Sequence, residues 1–321
     1  MEGLITAIAR RVALSLLTLL ALAVFIFVAT EVLPGDALDV VLSSDEIANI
    51  PPERLAQMKR ELGLDRPAHE RLAAFLVNAA QGDFGRTLIS KAPVAEVIAY
   101  PMRNSLALAS LVLLIALPLA VLIGVAGAVW HRRLADHLLA TATIIGYSIP
   151  EFVIGTLLVI GFAVLLPWFP ATITVDTRAP VHELLQVSAL PVATIVIGSV
   201  AYLSRLLRVG MIEALAADNI ERLRMTGVPG WRVVLRHALP AAVIPCLTAM
   251  ALYAASMVSG IVVVELVFAI PGLGQELVRG VARREMHVVQ AIALASAMVV
   301  VALNLLADLS ILALDPRTRG G

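Results

Sequence analysis

The chain has 321 residues, of which 60% are hydrophobic and only 15% are charged, and its mean hydropathy is +0.93. These values lie outside the usual make-up of soluble domains and predict an all-α integral membrane protein. The formal net charge of zero gives no indication of a nucleic-acid partner, and the single cysteine, Cys246, excludes an internal disulfide.

Runs of about 20 apolar residues are long enough to cross the core of a bilayer, and the chain contains six of them. They cover about residues 12–30, 104–129, 138–166, 189–208, 239–264 and 288–312. Arg10 and Arg11 precede the first run, as in a signal peptide. That run is too long for a signal peptide and no clear A-x-A cleavage site follows it, so we expect it to remain as an anchor.

The segment 31–103, between the first two spans, is the only sizeable polar part of the chain. Two apolar stripes at helical spacing lie in it, one formed by Leu55, Met58 and Leu62 and the other by Leu72, Phe75, Leu76 and Ala79. About 70 residues of this character bury only a small core. We therefore expect an extracytoplasmic segment that packs against the spans, within one transmembrane domain over residues 1–321.

Polar side chains in the fourth and fifth spans are candidates for a translocation path. They are Ser199, Tyr202, Tyr253, Ser256 and Ser259, although helix packing explains hydroxyl groups in a membrane about equally well. Carboxylates inside spans are costly and often functional. For Glu151, Glu265 and Asp308 we favour structural contacts over a place in the path.

A basic stretch, residues 211–238, lies between these two spans and predicts a docking element on the cytoplasmic side. Gly227 permits a positive φ and Pro229-Gly230 interrupts regular structure, so we expect two short helices with a turn between them. The apolar residues at three- or four-residue spacing are Leu223, Val228, Trp231, Val234 and Leu235, and the intervening basic residues are Arg222, Arg224, Arg232 and Arg236. One face can therefore pack while the other meets water or a partner; a solvated interfacial helix is the alternative.

Arginines near the span ends place both termini in the cytoplasm, because positive residues are retained on that side. The arginines that agree with this orientation are Arg10, Arg11, Arg132, Arg133, the cluster from Arg205 to Arg236, Arg317 and Arg319. Arg279, Arg283 and Arg284 in the last outer loop oppose it. More arginines lie on the side of the two termini, and we therefore predict that this side is cytoplasmic.

No motif in the sequence supports catalysis or cofactor binding. Neither lysine, Lys59 or Lys91, lies in a phosphate-binding Walker loop. The stretch from Gly272 to Leu277 lacks the third glycine of a dinucleotide fingerprint, and His182-Glu183 lacks the second histidine of a zinc protease motif. We predict no catalytic residue, no cofactor and no metal site.

Six phrases in order along the chain carry a resemblance to a known family. They are Leu33-Pro-Gly-Asp36, Leu62-Gly-Leu-Asp-Arg-Pro67, Gly82-Asp-Phe-Gly85, Asp218 to Pro245, Glu265 to Gly274, and Asn304 to Asp308 with Asp315-Pro-Arg317. Together they resemble the B-type permease subunit of the dipeptide/oligopeptide/nickel family of ABC importers. The resemblance implies six transmembrane helices of the type I importer kind in the inner membrane.

The resemblance also implies partners and a role for the basic stretch. A second, related permease would complete the pore, two ATP-binding subunits would lie below it, and a solute-binding protein above it. Residues 218–240 would couple to the ATPases, with Glu221 and Gly227 at the positions of the family's coupling glutamate and glycine. Arg222-Leu223 and Thr226 depart from the small residues and the lysine that are common there.

The cargo stays open, because selectivity in the resembling family belongs largely to the binding protein. Peptides are the cargo we favour, with nickel chelates or oligosaccharides as alternatives. A secondary transporter would need ion sites at mid-membrane or inverted repeats, and a membrane enzyme would need convergent catalytic groups. The sequence shows neither set clearly.

Overall fold

A computed structural model of the protein describes residues 2–32, 66–87 and 89–314. Within these ranges the chain is helical apart from loops and one isolated bridge between Arg86 and Pro93. The all-α prediction is therefore confirmed for the described chain. The stripe at Leu55, Met58 and Leu62, the phrase from Leu33 to Asp36 and the phrase from Asp315 to Arg317 lie outside the described residues.

Eleven helices of the described residues are numbered in chain order. They are α1 Glu2–Val32, α2 Ala68–Ala80, α3 Val94–Val129, α4 Leu134–Ser148, α5 Glu151–Val159, α6 Val181–Val187, α7 Ala189–Leu215, α8 Asp218–Met225, α9 Leu239–Phe268, α10 Leu273–Ala282 and α11 Met286–Leu314. A π-helical turn, Ile160–Leu165, extends α5. One helical turn, Gly230–Arg232, and a π-helical turn, Val233–Ala238, lead directly into α9.

Four of the described helices are long and apolar enough to cross a membrane, namely Ile5–Thr30, Val94–Val129, Ala189–Leu215 and Met286–Leu312. Two bent pairs pass the same test: Leu134–Ser148 with Glu151–Leu165, bent by 98°, and Leu252–Phe268 with Leu273–Ala282, bent by 78°. Counting each bent pair as one span gives up to six spans, which is the predicted number.

The third predicted span, 138–166, is not one straight helix. Pro150 has no backbone N–H and disfavours helical geometry at the residue before it. Accordingly, Ile149 is extended, α4 ends at Ser148, and Pro150 becomes the N-cap of α5. The apolar run therefore turns sharply inside the bundle, which brings the first residue of α5, Glu151, against α7 and α9.

Helix α7 lies at the centre of the bundle and packs against α3, α4, α5 and α9. A Cβ added at Gly124 of α3 would lie 2.9 Å from the Ser204 carbonyl oxygen of α7, so only glycine allows the two backbones to approach this closely. The main hydrophobic core joins α3, α7 and α9 through Leu108, Ile195 and Phe268, which are all fully buried.

Helix α1 lies at the edge of the bundle, against α11. Arg11 forms an ion pair with Asp308 at 2.5 Å, so Asp308 has the structural contact that we favoured. The predicted stripe that includes Phe75 forms α2, where the Phe75 ring lies 5.8 Å from that of Phe27 in α1. The described part of the segment 31–103 thus packs against a span.

Candidate docking segment and translocation path

The basic stretch between α7 and α9 folds as two short helical pieces with a turn. Helix α8 ends at Met225, Gly227 has a φ of +81°, and Pro229 caps the next helical turn at Gly230. A Cβ added at Gly227 would have no heavy atom within 4 Å. Glycine is therefore needed here for the backbone angle and not for space.

Ile220 and Val233 anchor this stretch to the bundle. They are 2% and 0% exposed and pack in one cluster with Leu207 and Met211 of α7. Three of the predicted packing residues, Leu223, Val228 and Val234, are partly buried against the same cluster.

Trp231 and Leu235, two of the predicted apolar residues, do not pack against the bundle. These two side chains point outward and are 62% and 53% exposed. Trp231 lies two residues before the π-helical turn Val233–Ala238 and Leu235 lies within it, so a regular 3.6-residue period does not describe the register of this stretch. Val233 takes the inward position instead, although the sequence pattern did not single it out.

The outward face combines apolar and basic side chains. Met225 is 77% exposed, and Glu221, Arg222 and Arg224 are also exposed. The guanidinium group of Arg232 lies 5.3 Å from the centre of the Trp231 ring, a cation–π arrangement. An aromatic ring beside arginines resembles the centre of a protein–protein interface more than an ordinary solvated surface.

Two of the predicted path residues, Tyr202 of α7 and Tyr253 of α9, lie face to face. Their ring centres are 4.7 Å apart with planes inclined by 16°, and Tyr147 of α4 continues the row at 5.6 Å from Tyr202. Tyr147 was not predicted as a path residue. Its position three residues before Pro150 was the available signal.

The predicted serines are placed differently from one another. Ser199 is 1% exposed and accepts a hydrogen bond from the Tyr253 hydroxyl at 3.4 Å, so it supports the tyrosine row from within the bundle. Ser256 is exposed and donates to the Tyr253 carbonyl within its own helix. The side chain of Ser259 lies outside the part of the chain that the structure describes.

A buried carboxylate orders the end of the bundle where α9 meets α10. Glu265 is fully buried; it accepts hydrogen bonds from the Ser105 hydroxyl at 2.5 Å and from the Gly274 N–H at 2.7 Å. Leu273 N–H donates to Ser105 Oγ at 2.8 Å. The carboxylate and the hydroxyl thus satisfy free N–H groups in the first turn of α10, where negative charge is also favoured.

Glycines make this arrangement sterically possible. A Cβ at Gly272 would overlap the Glu265 carboxylate, and one at Gly274 would lie 2.6 Å from Val262 Cα. Nearby, the Asn104 amide donates to the Pro271 carbonyl at 2.9 Å. Glu265 therefore makes structural contacts, the role that we favoured from the sequence, whereas its partner Ser105 and the neighbouring Asn104 had no distinguishing sequence signal.

An ion-pair network holds the turn between α3 and α4 to α7. Asp136 is 2% exposed and accepts two hydrogen bonds from the Arg208 guanidinium, at 2.6 and 2.7 Å. It also accepts the Arg132 N–H at 2.9 Å, and Arg132 has a positive φ of 63°. This network stabilises a tight turn on the same side of the bundle as the docking stretch.

Comparison with known proteins identifies the family. Residues 105–320 match the family described as binding-protein-dependent transport system inner membrane component. The chain is 34% identical over 302 residues to the glutathione transport system permease protein of Salmonella paratyphi A, covering 94% of this chain and 95% of the relative. It is 32% identical over 312 residues to a Brucella abortus permease whose provisional name assigns it to a peptide transport system, covering 97% and 98%.

The chain belongs to this family. It is a multi-pass inner-membrane permease subunit of an ABC importer, and such a subunit works with ATPase and solute-binding partner proteins. The resemblance found in the sequence is thereby confirmed. The matched relatives are transport permeases and not enzymes, in agreement with the prediction of a transport subunit.

Proposed function

We propose that this subunit forms half of the pore of an importer for di- or oligopeptides, together with a second, related permease. Two ATPases dock on its cytoplasmic side through residues 218–240, and both termini lie in the cytoplasm. The peptide cargo is supported by the names of the relatives, which refer to glutathione, itself a tripeptide, and to peptides.

The observation that carries the docking assignment is the outward position of Trp231 on an otherwise anchored stretch. Ile220 and Val233 hold the backbone against α7, while Trp231 and Leu235 present apolar surface away from the bundle. Exposed apolar groups of this size, with arginines around them, fit a groove on a partner. Glu221, Arg222, Arg224, Gly227, Val228 and Val234 then shape or border the docking surface.

The assignment of the path is supported by the row of tyrosines between α4, α7 and α9. Tyr202 is the middle residue of the 27-residue α7, and Tyr253 is the fifteenth residue of the 30-residue α9. From the middle position of Tyr202 in α7 we place the row at mid-depth, where a cargo would pass between the two permease halves. Ser256 borders it from α9, Ser199 supports it, and Ser259 is the remaining predicted member.

Purification from the native membrane in mild detergent tests the assembly, with mass spectrometry of the proteins that accompany the chain. We expect a second permease and P-loop ATPases, and ATP-dependent uptake of a labelled tripeptide when the complex and its binding protein are placed in vesicles. Uptake of a nickel chelate or an oligosaccharide instead would replace the peptide assignment. Transport by the chain alone without ATP would favour a secondary transporter.

Replacing Trp231 by alanine tests the docking surface directly. We expect the Trp231→Ala variant to retain about tenfold less ATPase during purification, because exposed tryptophans often supply a large part of interface energy. Trp168→Ala is the matched control, since Trp168 is 66% exposed but lies in the loop between α5 and α6. Equal ATPase retention in both variants would contradict docking through Trp231.

A further inference from the structure

Glu151 carries a carboxylate without a partner inside the bundle. Three of the other carboxylates in the described spans have one: Asp136 pairs with Arg208, Glu265 with Ser105, and Asp308 with Arg11. Glu96 and Glu213, near helix ends, are exposed. Across the described ranges, no hydrogen bond or ion pair involves the side chain of Glu151, although it is only partly exposed. An ionisable side chain that lies within a span without a hydrogen-bond or ion-pair partner indicates a function.

The space beside this carboxylate is kept open by two glycines on neighbouring helices. A Cβ at Gly260 of α9 would lie 2.7 Å from Glu151 Oε2, so any other residue there would displace the carboxylate. A Cβ at Gly198 of α7 would lie 3.8 Å from Glu151 Oε1 and 3.9 Å from the Tyr253 hydroxyl oxygen. The carboxylate and the tyrosine hydroxyl therefore border the same space.

The tyrosine row extends this space toward the centre of the membrane. Tyr253 stacks on Tyr202, and Tyr202 contacts Tyr147, which lies four residues before Glu151. The faces of aromatic rings attract cations, and groups of such rings bind ammonium ions in proteins. One negative charge next to several tyrosines is thus a suitable environment for a monovalent organic cation.

We infer that Glu151, together with the tyrosine row, binds the free α-ammonium group of a peptide as the peptide passes through the permease. A divalent metal ion fits less well, because no group of three or more metal-binding side chains occurs among the described residues. An anionic cargo group would be repelled by the carboxylate. The inference rests on the proposed peptide cargo and assigns the permease its own contact with that cargo.

Uptake by the reconstituted importer, with its ATPases and binding protein, provides the first measurement. For a tripeptide of three alanines, we expect Glu151→Gln to slow uptake about tenfold, equivalent to about 1.4 kcal/mol. Glu151→Asp should restore uptake to within about threefold of the wild type, because it keeps the charge. Glu183→Gln, which alters an exposed carboxylate near α7, should leave uptake unchanged.

A cross-linking experiment separates cargo binding from a structural role. A membrane-permeant carbodiimide added during turnover should join the Glu151 carboxylate to the tripeptide amine through an amide bond, and mass mapping should locate the adduct at this residue. A purely structural Glu151 would yield no such adduct. Normal uptake by Glu151→Gln, or no adduct in the active wild type, would overturn the inference alone. Failure of the wild type to import any peptide would overturn the proposed cargo and the inference with it.

Discussion

Gly274 limits how closely α9 and α10 can pack where the two helices meet. Its backbone N–H donates to Glu265 at 2.7 Å, and a Cβ would lie 2.6 Å from Val262 Cα. Because the obstructing atom belongs to the backbone, it cannot move aside by a change of rotamer. Both helices, α9 and α10, would have to separate to admit even a methyl group.

We therefore predict that Gly274→Ala destabilises the purified subunit by about 1 to 3 kcal/mol, the usual cost of overpacking. Thermal unfolding in detergent would show this as a lower midpoint. Gly161→Ala is the control, because a Cβ there meets no atom within 4 Å and its φ is not in the left-handed region. Equal midpoints for the two variants would mean that α10 shifts freely relative to α9.

At the residue scale, the sequence predicts whether a side chain makes a structural contact better than it predicts which residue that contact joins. The arginine partner of Asp308 and the buried position of Glu265 agree with the structural roles that we favoured. The partners themselves come from helices far away in the chain, such as Ser105 for Glu265. The unpaired state of Glu151 depends on glycines of two other helices, and spacing within one apolar run contains no information about them.

At the scale of elements, the turn at Gly227 sets the angle between α8 and the helical stretch that leads into α9. A side chain at a φ of +81° costs about 1 to 2 kcal/mol in the left-handed region, and more when it is β-branched. The backbone can avoid this cost by rotating α8 away from its present direction. Such a rotation would move Glu221 relative to Trp231 and change the docking surface.

We predict that Gly227→Val leaves the subunit in the membrane but lowers cargo-stimulated ATP hydrolysis about tenfold, since a few kcal/mol of strain corresponds to at least this factor. Hydrolysis and peptide uptake would be measured together in vesicles. Gly230→Ala is the matched control, because its position is helical and open. Full coupling in Gly227→Val would show that the turn geometry is not needed for ATPase engagement.

Turns that depend on the backbone restrictions of their own residues could be predicted from the sequence. Features that depend on packing between helices could not. Gly227 and Pro229 define the turn in the docking stretch by their own backbone restrictions, so the turn was confirmed. The inward position of Val233 depends on a π-helical turn, which no three- or four-residue period reveals. Similarly, Pro150 indicated a break, but the 98° angle between α4 and the helix after it depends on how both halves pack on α7.

At the scale of the whole molecule, the bundle is organised around α7, which contacts both the proposed docking stretch and the proposed translocation path. Its middle residue, Tyr202, lies in the tyrosine row, and Leu207 and Met211 near its end pack against the docking stretch through Ile220 and Val233. A movement of the docking stretch would therefore act on α7 through buried contacts. The same helix could transmit it to the space beside Glu151, since Gly198 borders that space.

The orientation of the bundle in the membrane determines whether the docking stretch faces the ATPases. This orientation can be measured by cysteine labelling, because the single native cysteine is buried. Cys246 is 4% exposed, so the wild type should give little background with a membrane-impermeant maleimide. Arg224→Cys in the docking stretch and Arg283→Cys after α10 both place the new thiol at an exposed position. They lie on opposite sides of the membrane in the proposed topology.

We predict that spheroplasts label Arg283→Cys at once and Arg224→Cys only after the membrane is permeabilised. The test is demanding because Arg279, Arg283 and Arg284 place positive charge on the predicted outer side, against the general preference for arginine inside. The ion pair of Arg279 with Glu276 at 3.4 Å offsets part of that charge. Labelling in the reverse order would place α10 in the cytoplasm, and the docking stretch could then not reach an ATPase.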